Sequence, residues 1–151
     1  MKGLAETEAV YLVDAGDALF KYPYIAEDQS ERLKETAQAI ISSYNVMECQ
    51  VMNVGTNDLA AGLDFILEMK NTANFPFISA NTKDASTDKF LFEPYTIVKT
   101  HDQTLGFVGV TKGDKRVQEF AFSDPIEAAQ KAIDEIKDKV DLVFLMANAL
   151  I

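Results

Sequence analysis

One cysteine, Cys49, is all that the 151-residue chain contains, which excludes an internal disulfide and leaves the redox compartment unread. It sits just before an apolar run and reads as a buried structural thiol. Histidine is equally scarce: His101 stands alone between two β-rich runs, where it reads as a solvated turn residue. Bases are few, 14 against 24 acids, and the net charge of −10 argues against a nucleic-acid groove or an anionic membrane surface as partner. No apolar run approaches the roughly 20 residues of a transmembrane helix, and residues 1–15 lack the basic, apolar, small-residue order of a signal peptide. The chain therefore reads as soluble, with no membrane insertion. No repeat, low-complexity stretch or linker divides it, so residues 1–151 are expected to form one domain. A chain of this length buries roughly two thirds of the surface it exposes when unfolded.

The organising stretch is Tyr11-Leu12-Val13-Asp14-Ala15-Gly16-Asp17. A short apolar run, Val10 to Val13, that stops at two acids and a glycine reads as a buried strand delivering carboxylates to a sheet edge, where sites are usually built. Residues 1–8 read as a leader into it. Asp28 and Glu31 have capping-box spacing, and Leu33, Ala37, Ile40, Ile41 and Tyr44 mark one face of a helix ending near Asn45. Gln50 to Val54 predicts a second strand. Thr56, Asn57 and Asp58 are cap-type residues before a helical stripe of Leu59, Leu63, Ile66 and Leu67. A third strand is expected over Phe75 to Ala80, followed by an exposed polar loop, Asn81 to Asp88. Tyr95 to Thr100 and Leu105 to Val110, four residues apart, suit an antiparallel hairpin. After a charged turn at Lys112 to Arg116, Val117 to Phe122 reads as a short strand. Asp124-Pro125 with Glu127 opens a last helix with a stripe of Ile126, Ala129, Ile133, Ile136 and Val140. Asp141 to Ala147 closes the pattern as a buried strand, and Ala149, Leu150 and Ile151 end the chain without a polar tail. The fold class is α/β: mixed sheets with flanking helices.

Taken in order, Leu12 to Asp17, Asn53 to Gly62, Phe75 to Asn81, Pro94 to Ile97, Leu105 to Val110 and Val140 to Val143 resemble the catalytic domain of the 5′-nucleotidases, within the calcineurin-like metallophosphoesterases. The resemblance implies part of an α/β/β/α sandwich and, in an active member, a pair of divalent metals such as zinc, manganese or iron that activates water against a phosphate. It maps Asp17 onto the bridging metal-ligand aspartate. It also maps Gly55-Thr56-Asn57-Asp58 onto the family's Gly-Asn-His-Glu, so a ligand asparagine is Thr56 and the histidine assisting phosphate attack is Asn57. Ala147-Asn148 stands for the family's Ser-His, replacing a second ligand with an amide. The opening Asp-x-His and closing Gly-His-x-His motifs do not occur in the chain, which on this reading is part of a longer domain.

The expectation is a degenerate domain that acts as a binding or structural module and holds no cofactor of its own. The alternative is a hydrolase whose remaining ligands lie outside this chain. Asp14 and Asp17 read equally as strand-end caps, and Thr56, Asn57, Asp58 and Asn148 as helix-cap or satisfied polar residues. Thr56 and Asn57 also offer backbone amides to a small phosphorylated ligand. The resemblance implies a periplasmic or cell-envelope setting, with the cytoplasm as alternative, and an uncovered sheet face or edge implies a homo-oligomer.

Overall fold

A computed structural model describes residues 10–148. The expected leader at residues 1–8 and the apolar end at residues 149–151 lie outside the described residues. In chain order the elements are β1 (Val13–Asp14), α1 (Ser30–Val46), β2 (Val51–Asn53), α2 (Leu63–Thr72), β3 (Phe77–Ile78), β4 (Thr82–Asp84), β5 (Tyr95–Lys99), β6 (Thr104–Thr111), β7 (Phe120–Phe122), α3 (Pro125–Ile136) and β8 (Leu142–Asn148). β1, β2 and β3 form a parallel sheet; β5, β6 and β8 form a mixed one, with β5–β6 antiparallel and β6–β8 parallel. β4 and β7 make a separate antiparallel pair. The expected mixed α/β architecture is present.

Alternation along β2 sets the layers. Met52 and Val54 face α1 and α2 together with Ala37, Ile41, Ile66 and Met69, whereas Val51 faces the second sheet with Ile78, Leu105, Phe107 and Met146. The outer face of that second sheet, Val108 and Val110, carries α3 through Ala129, Ala132 and Ile136. The order is thus helix, sheet, sheet, helix. α3 begins as its sequence predicts: Asp124 Oδ1 accepts from the amides of Ile126 at 2.8 Å and Glu127 at 2.9 Å, with Pro125 in the first turn.

A polar seam crosses the apolar interior between the sheets. Asn53 Nδ2 donates to Ala15 O at 3.0 Å and Val110 O at 3.1 Å. Asn81 accepts from the amide of Thr111 at 2.9 Å and returns a bond to its carbonyl at 2.6 Å, while the Thr111 hydroxyl donates to Val54 O. Asn53, Asn81 and Thr111 are fully buried.

Several expectations are corrected. The polar stretch opening at Asn81 is not an exposed loop at its start: Asn81 and Thr82 are buried, and β4 pairs with β7. No capping box forms at Asp28, because a 3-10 turn at Glu27–Gln29 runs straight into α1. Thr56 to Asp58 do not start a continuous helix. A 3-10 turn at Asn57–Leu59 breaks at Gly62, whose φ of +89° stops the chain from continuing as a helix, and α2 starts afterwards with Glu119 accepting from the Leu63 amide at 2.9 Å. Ile126 is exposed, since the small side of α3, Ala129 and Ala132, is what meets the sheet. Neither terminal strand is buried as expected. Val10 is exposed, Val13 is partly so, and most of β8 faces solvent, because β1 and β8 are sheet edges.

Candidate functional site

The carboxyl ends of β1, β2 and β8 converge with the segment after β6. Asp14 closes a tight turn, accepting from the Gly16 amide at 2.7 Å on one oxygen and from the Tyr44 hydroxyl at 2.6 Å on the other. Partial burial and the hydrogen bond to Asp14 push the Tyr44 phenol well above its ordinary range. Gly16 adopts φ +106° and lies against the β2 loop so closely that a Cβ there would stand 2.7 Å from the amide of Gly55. Gly55 is as confined: a Cβ on it would overlap Asp17 and Asn148.

Asp58 ties these loops together. It is fully buried, and its two oxygens accept from the amides of Leu19, Asp17 and Gly55, each at 2.8 Å. Burial pushes its carboxyl up to about 7, against the pull of those three donors. The neighbouring polar groups are spent in the same way. Asp17 Oδ1 accepts from the Asn57 amide at 2.7 Å, Asn148 Oδ1 from the Thr56 amide at 3.3 Å, and Asn57 Nδ2 donates to Lys21 O at 3.2 Å. The amides of Thr56 and Asn57, expected to be free for an anion, are occupied.

Asp17, Thr56, Asn57 and Asn148 line a cavity of about 360 Å³ that also takes in Pro23, Lys112, Gly113, Asp114 and Arg116, with Asp58 buried behind it. Lys112 and Arg116 read in the sequence only as a charged turn; their place in the cavity comes from β6, whose last residue delivers them there. Arg116 grips Asp114 with two bonds of 2.9 and 2.6 Å, which hold the Asp114 carboxyl down at about 2. Its guanidinium also sits 5.8 Å from the Tyr24 ring, which stacks on Tyr22.

No family model matches the chain. Curated relatives do. A 5′-nucleotidase of Vibrio cholerae is 33% identical over 106 residues, 64% of this chain and 19% of the relative. A 2′,3′-cyclic-nucleotide 2′-phosphodiesterase/3′-nucleotidase of Haemophilus influenzae is 27% identical over 162 residues, 95% of this chain and 25% of the relative. Among solved structures, a 5′-nucleotidase precursor from Thermus thermophilus superposes with a TM-score of 0.69 at 24% identity, covering 91% of this chain and 27% of that one. A calcineurin-like phosphoesterase from Bacillus subtilis gives a TM-score of 0.70 at 22% identity, covering 91% and 47%. The chain is similar in sequence to nucleotidases of this type and shares the fold of calcineurin-like phosphoesterase domains. It spans a fifth to a quarter of the length of the curated relatives it matches.

The fold brings all five residues singled out by the resemblance, Asp17, Thr56, Asn57, Asp58 and Asn148, together at one end. Their donor set does not fit a pair of divalent metals. Such metals are held by carboxylate and imidazole groups, whereas here one oxygen of Asp17 and the carbonyl oxygen of Asn148 already serve backbone amides and both oxygens of Asp58 are engaged. Among the described residues no three His, Cys, Asp or Glu side chains form a group suited to a metal. The one imidazole, His101, is exposed in the β5–β6 turn, at the opposite end of β6, about 25 Å away along eight residues. Among the described residues, no helix is long and apolar enough to cross a membrane.

Proposed function

We propose that this nucleotidase-type domain is a binding or structural module that does not hydrolyse phosphoesters on its own. The observation that carries the reading is that oxygens of Asp17 and Asn148, at two of the family's ligand positions, and of neighbouring Asp58 hold the domain's own loops together through backbone amides. No imidazole is among the residues that line this cavity. The cavity suits a small phosphorylated ligand. Lys112 and Arg116 supply positive charge, the Thr56 hydroxyl supplies a donor, and Asp17 and Asp114 oppose a second anionic group. The setting we favour is the cell envelope, with the cytoplasm as alternative.

A second reading, a hydrolase completed by ligands outside this chain, is favoured by one observation: the relatives named as nucleotidases are four to five times longer than the matched region. Dialysed protein assayed for bound metal and for turnover of nucleoside monophosphates and an aryl phosphate separates the two. We expect no stoichiometric zinc, manganese or iron, and turnover at background. Metal-dependent turnover that disappears in Asp17→Asn would refute the non-hydrolytic reading.

A further inference from the structure

Four charged side chains line the cavity, the acids Asp17 and Asp114 and the bases Lys112 and Arg116, so its wall carries no net charge. The two bases are not equally available. Nε and Nη2 of Arg116 donate to the two oxygens of Asp114 at 2.9 and 2.6 Å, and this forked edge of a guanidinium is the one that matches a carboxylate or a phosphate. Among the described residues, the ammonium of Lys112 has no ion-pair partner.

The pair is built into the cavity wall. Gly113, between Lys112 and Asp114, has φ +81° and lies against Phe122 of β7, so near that a Cβ on it would stand 2.5 Å from the ring. The Lys112 amide donates to Asn148 O at 2.9 Å and the Val117 amide to Asp114 O at 3.2 Å, and Val117 is buried in the core that α1 and α2 cover. Asp114 Oδ1 also accepts from the Arg116 amide at 2.8 Å, so main chain and guanidinium hold the carboxylate together. Of the two partners the acid is the more enclosed, its side chain 28% exposed against 56% for Arg116.

We propose that Asp114 is an internal competitor for the cavity's ligand: its carboxylate fills the anion-binding edge of Arg116 and leaves Lys112 as the free positive charge. The inference rests on the reading of the cavity as a site for a small phosphorylated ligand, and it names what limits that site. An acid beside an arginine can instead orient it towards a ligand. Here the fork is closed on Asp114 itself, and the guanidinium is backed by the Tyr24 ring at 5.8 Å. A phosphate that engages Arg116 must therefore displace a group of its own charge. Removing that charge acts twice, because it frees the fork and withdraws a nearby repulsion. At a partly exposed site the two effects together are worth about fivefold to tenfold in affinity.

Calorimetric titration of inorganic phosphate into the full chain at low ionic strength tests it. Asp114→Asn keeps an oxygen for the Arg116 amide, so the turn is retained while the charge goes. This variant should bind phosphate about fivefold to tenfold more tightly than wild type. Combining it with Arg116→Ala removes the pair as a neutral whole and should return the affinity to within about twofold of wild type, whereas Lys112→Ala alone should weaken binding about fivefold. Wild-type binding that Asp114→Asn leaves unchanged or weakens would overturn this proposal alone, with Asp114 then a positioning residue for Arg116. A double variant that keeps the full gain would overturn it too, since the gain would not pass through Arg116. Absence of phosphate binding in wild type and Asp114→Asn alike would overturn the reading of the cavity along with it.

Discussion

Replacing Gly16 by alanine probes the contact on which the cavity depends. The added Cβ would stand 2.7 Å from Gly55 N and 2.8 Å from Gly55 Cα, both backbone atoms of a loop that Asp58 already pins. Overpacking of this kind costs roughly 1–3 kcal/mol, and placing a side chain at φ +106° adds about 1–2 kcal/mol. Together the loss should be on the order of 2–5 kcal/mol. In a domain of this length that lowers the melting temperature by about 5–15 °C. Gly62→Ala is the reference. It shares a positive φ of +89°, but its new Cβ meets only the carboxylate end of Glu119, which can swing away. Its loss should be about 1–3 kcal/mol, because φ +89° with ψ 175° is backbone that essentially only glycine adopts, with a small addition for the disturbed bond to the Leu63 amide. Urea unfolding of both variants, compared at equal m-value, isolates the loop contact as the difference. Equal losses in the two would show that the β1 and β2 loops are not pressed together as described.

Asp58 gives a signed pH dependence. Its folded-state value near 7 lies above the ordinary 3.8, so the folded protein keeps a proton that the unfolded chain gives up. The associated stability is complete below about 4 and is lost as pH rises through about 7. The stability of wild type minus that of Asp58→Asn should therefore shrink between pH 5 and pH 8 in urea titrations; a difference that widens would contradict it. Tyr44 should ionise only well above the ordinary phenol range in an ultraviolet titration, and Asp14→Asn should bring it down. An unchanged Tyr44 titration in that variant would show that the bond to Asp14 has no part in the shift.

Elements whose signals are local were legible in the sequence. The β5–β6 hairpin follows from two β-rich runs and a short polar gap, and α3 from Asp124-Pro125 and its period. Thr56 to Asp58 misled because side chains suited to helix capping can accept any amide. Asp58 instead reaches Asp17 and Leu19, about forty residues earlier, and no spacing rule reports a bond of that range. Asn81 and Thr82 looked like loop residues for the same reason: they are polar and buried, satisfied by Thr111, Ser123 and Ser79. Apolar content predicted strands at Val10 to Val13 and Asp141 to Ala147 but not their exposure, since whether a strand is central or at an edge depends on topology. At the site, the shared location of the motif positions was readable from their order along the chain. The place of Lys112 and Arg116 beside them was not, because it depends on where β6 ends.

The polar seam also constrains how the sequence can drift. Apolar faces in contact can slide or repack, but Asn53 grips two main-chain carbonyls, on the β1 loop and on β6, that no substitution removes. Its remaining oxygen, fully buried and without a hydrogen-bond partner among the described residues, occupies part of the space a side chain at position 109 would need. Positions 53 and 109 therefore form one unit of inheritance. A methyl group at 109 needs 53 to shorten and Ile78 to give way as well, and shortening 53 first leaves two carbonyls bare, so a change at 109 requires several to arrive together.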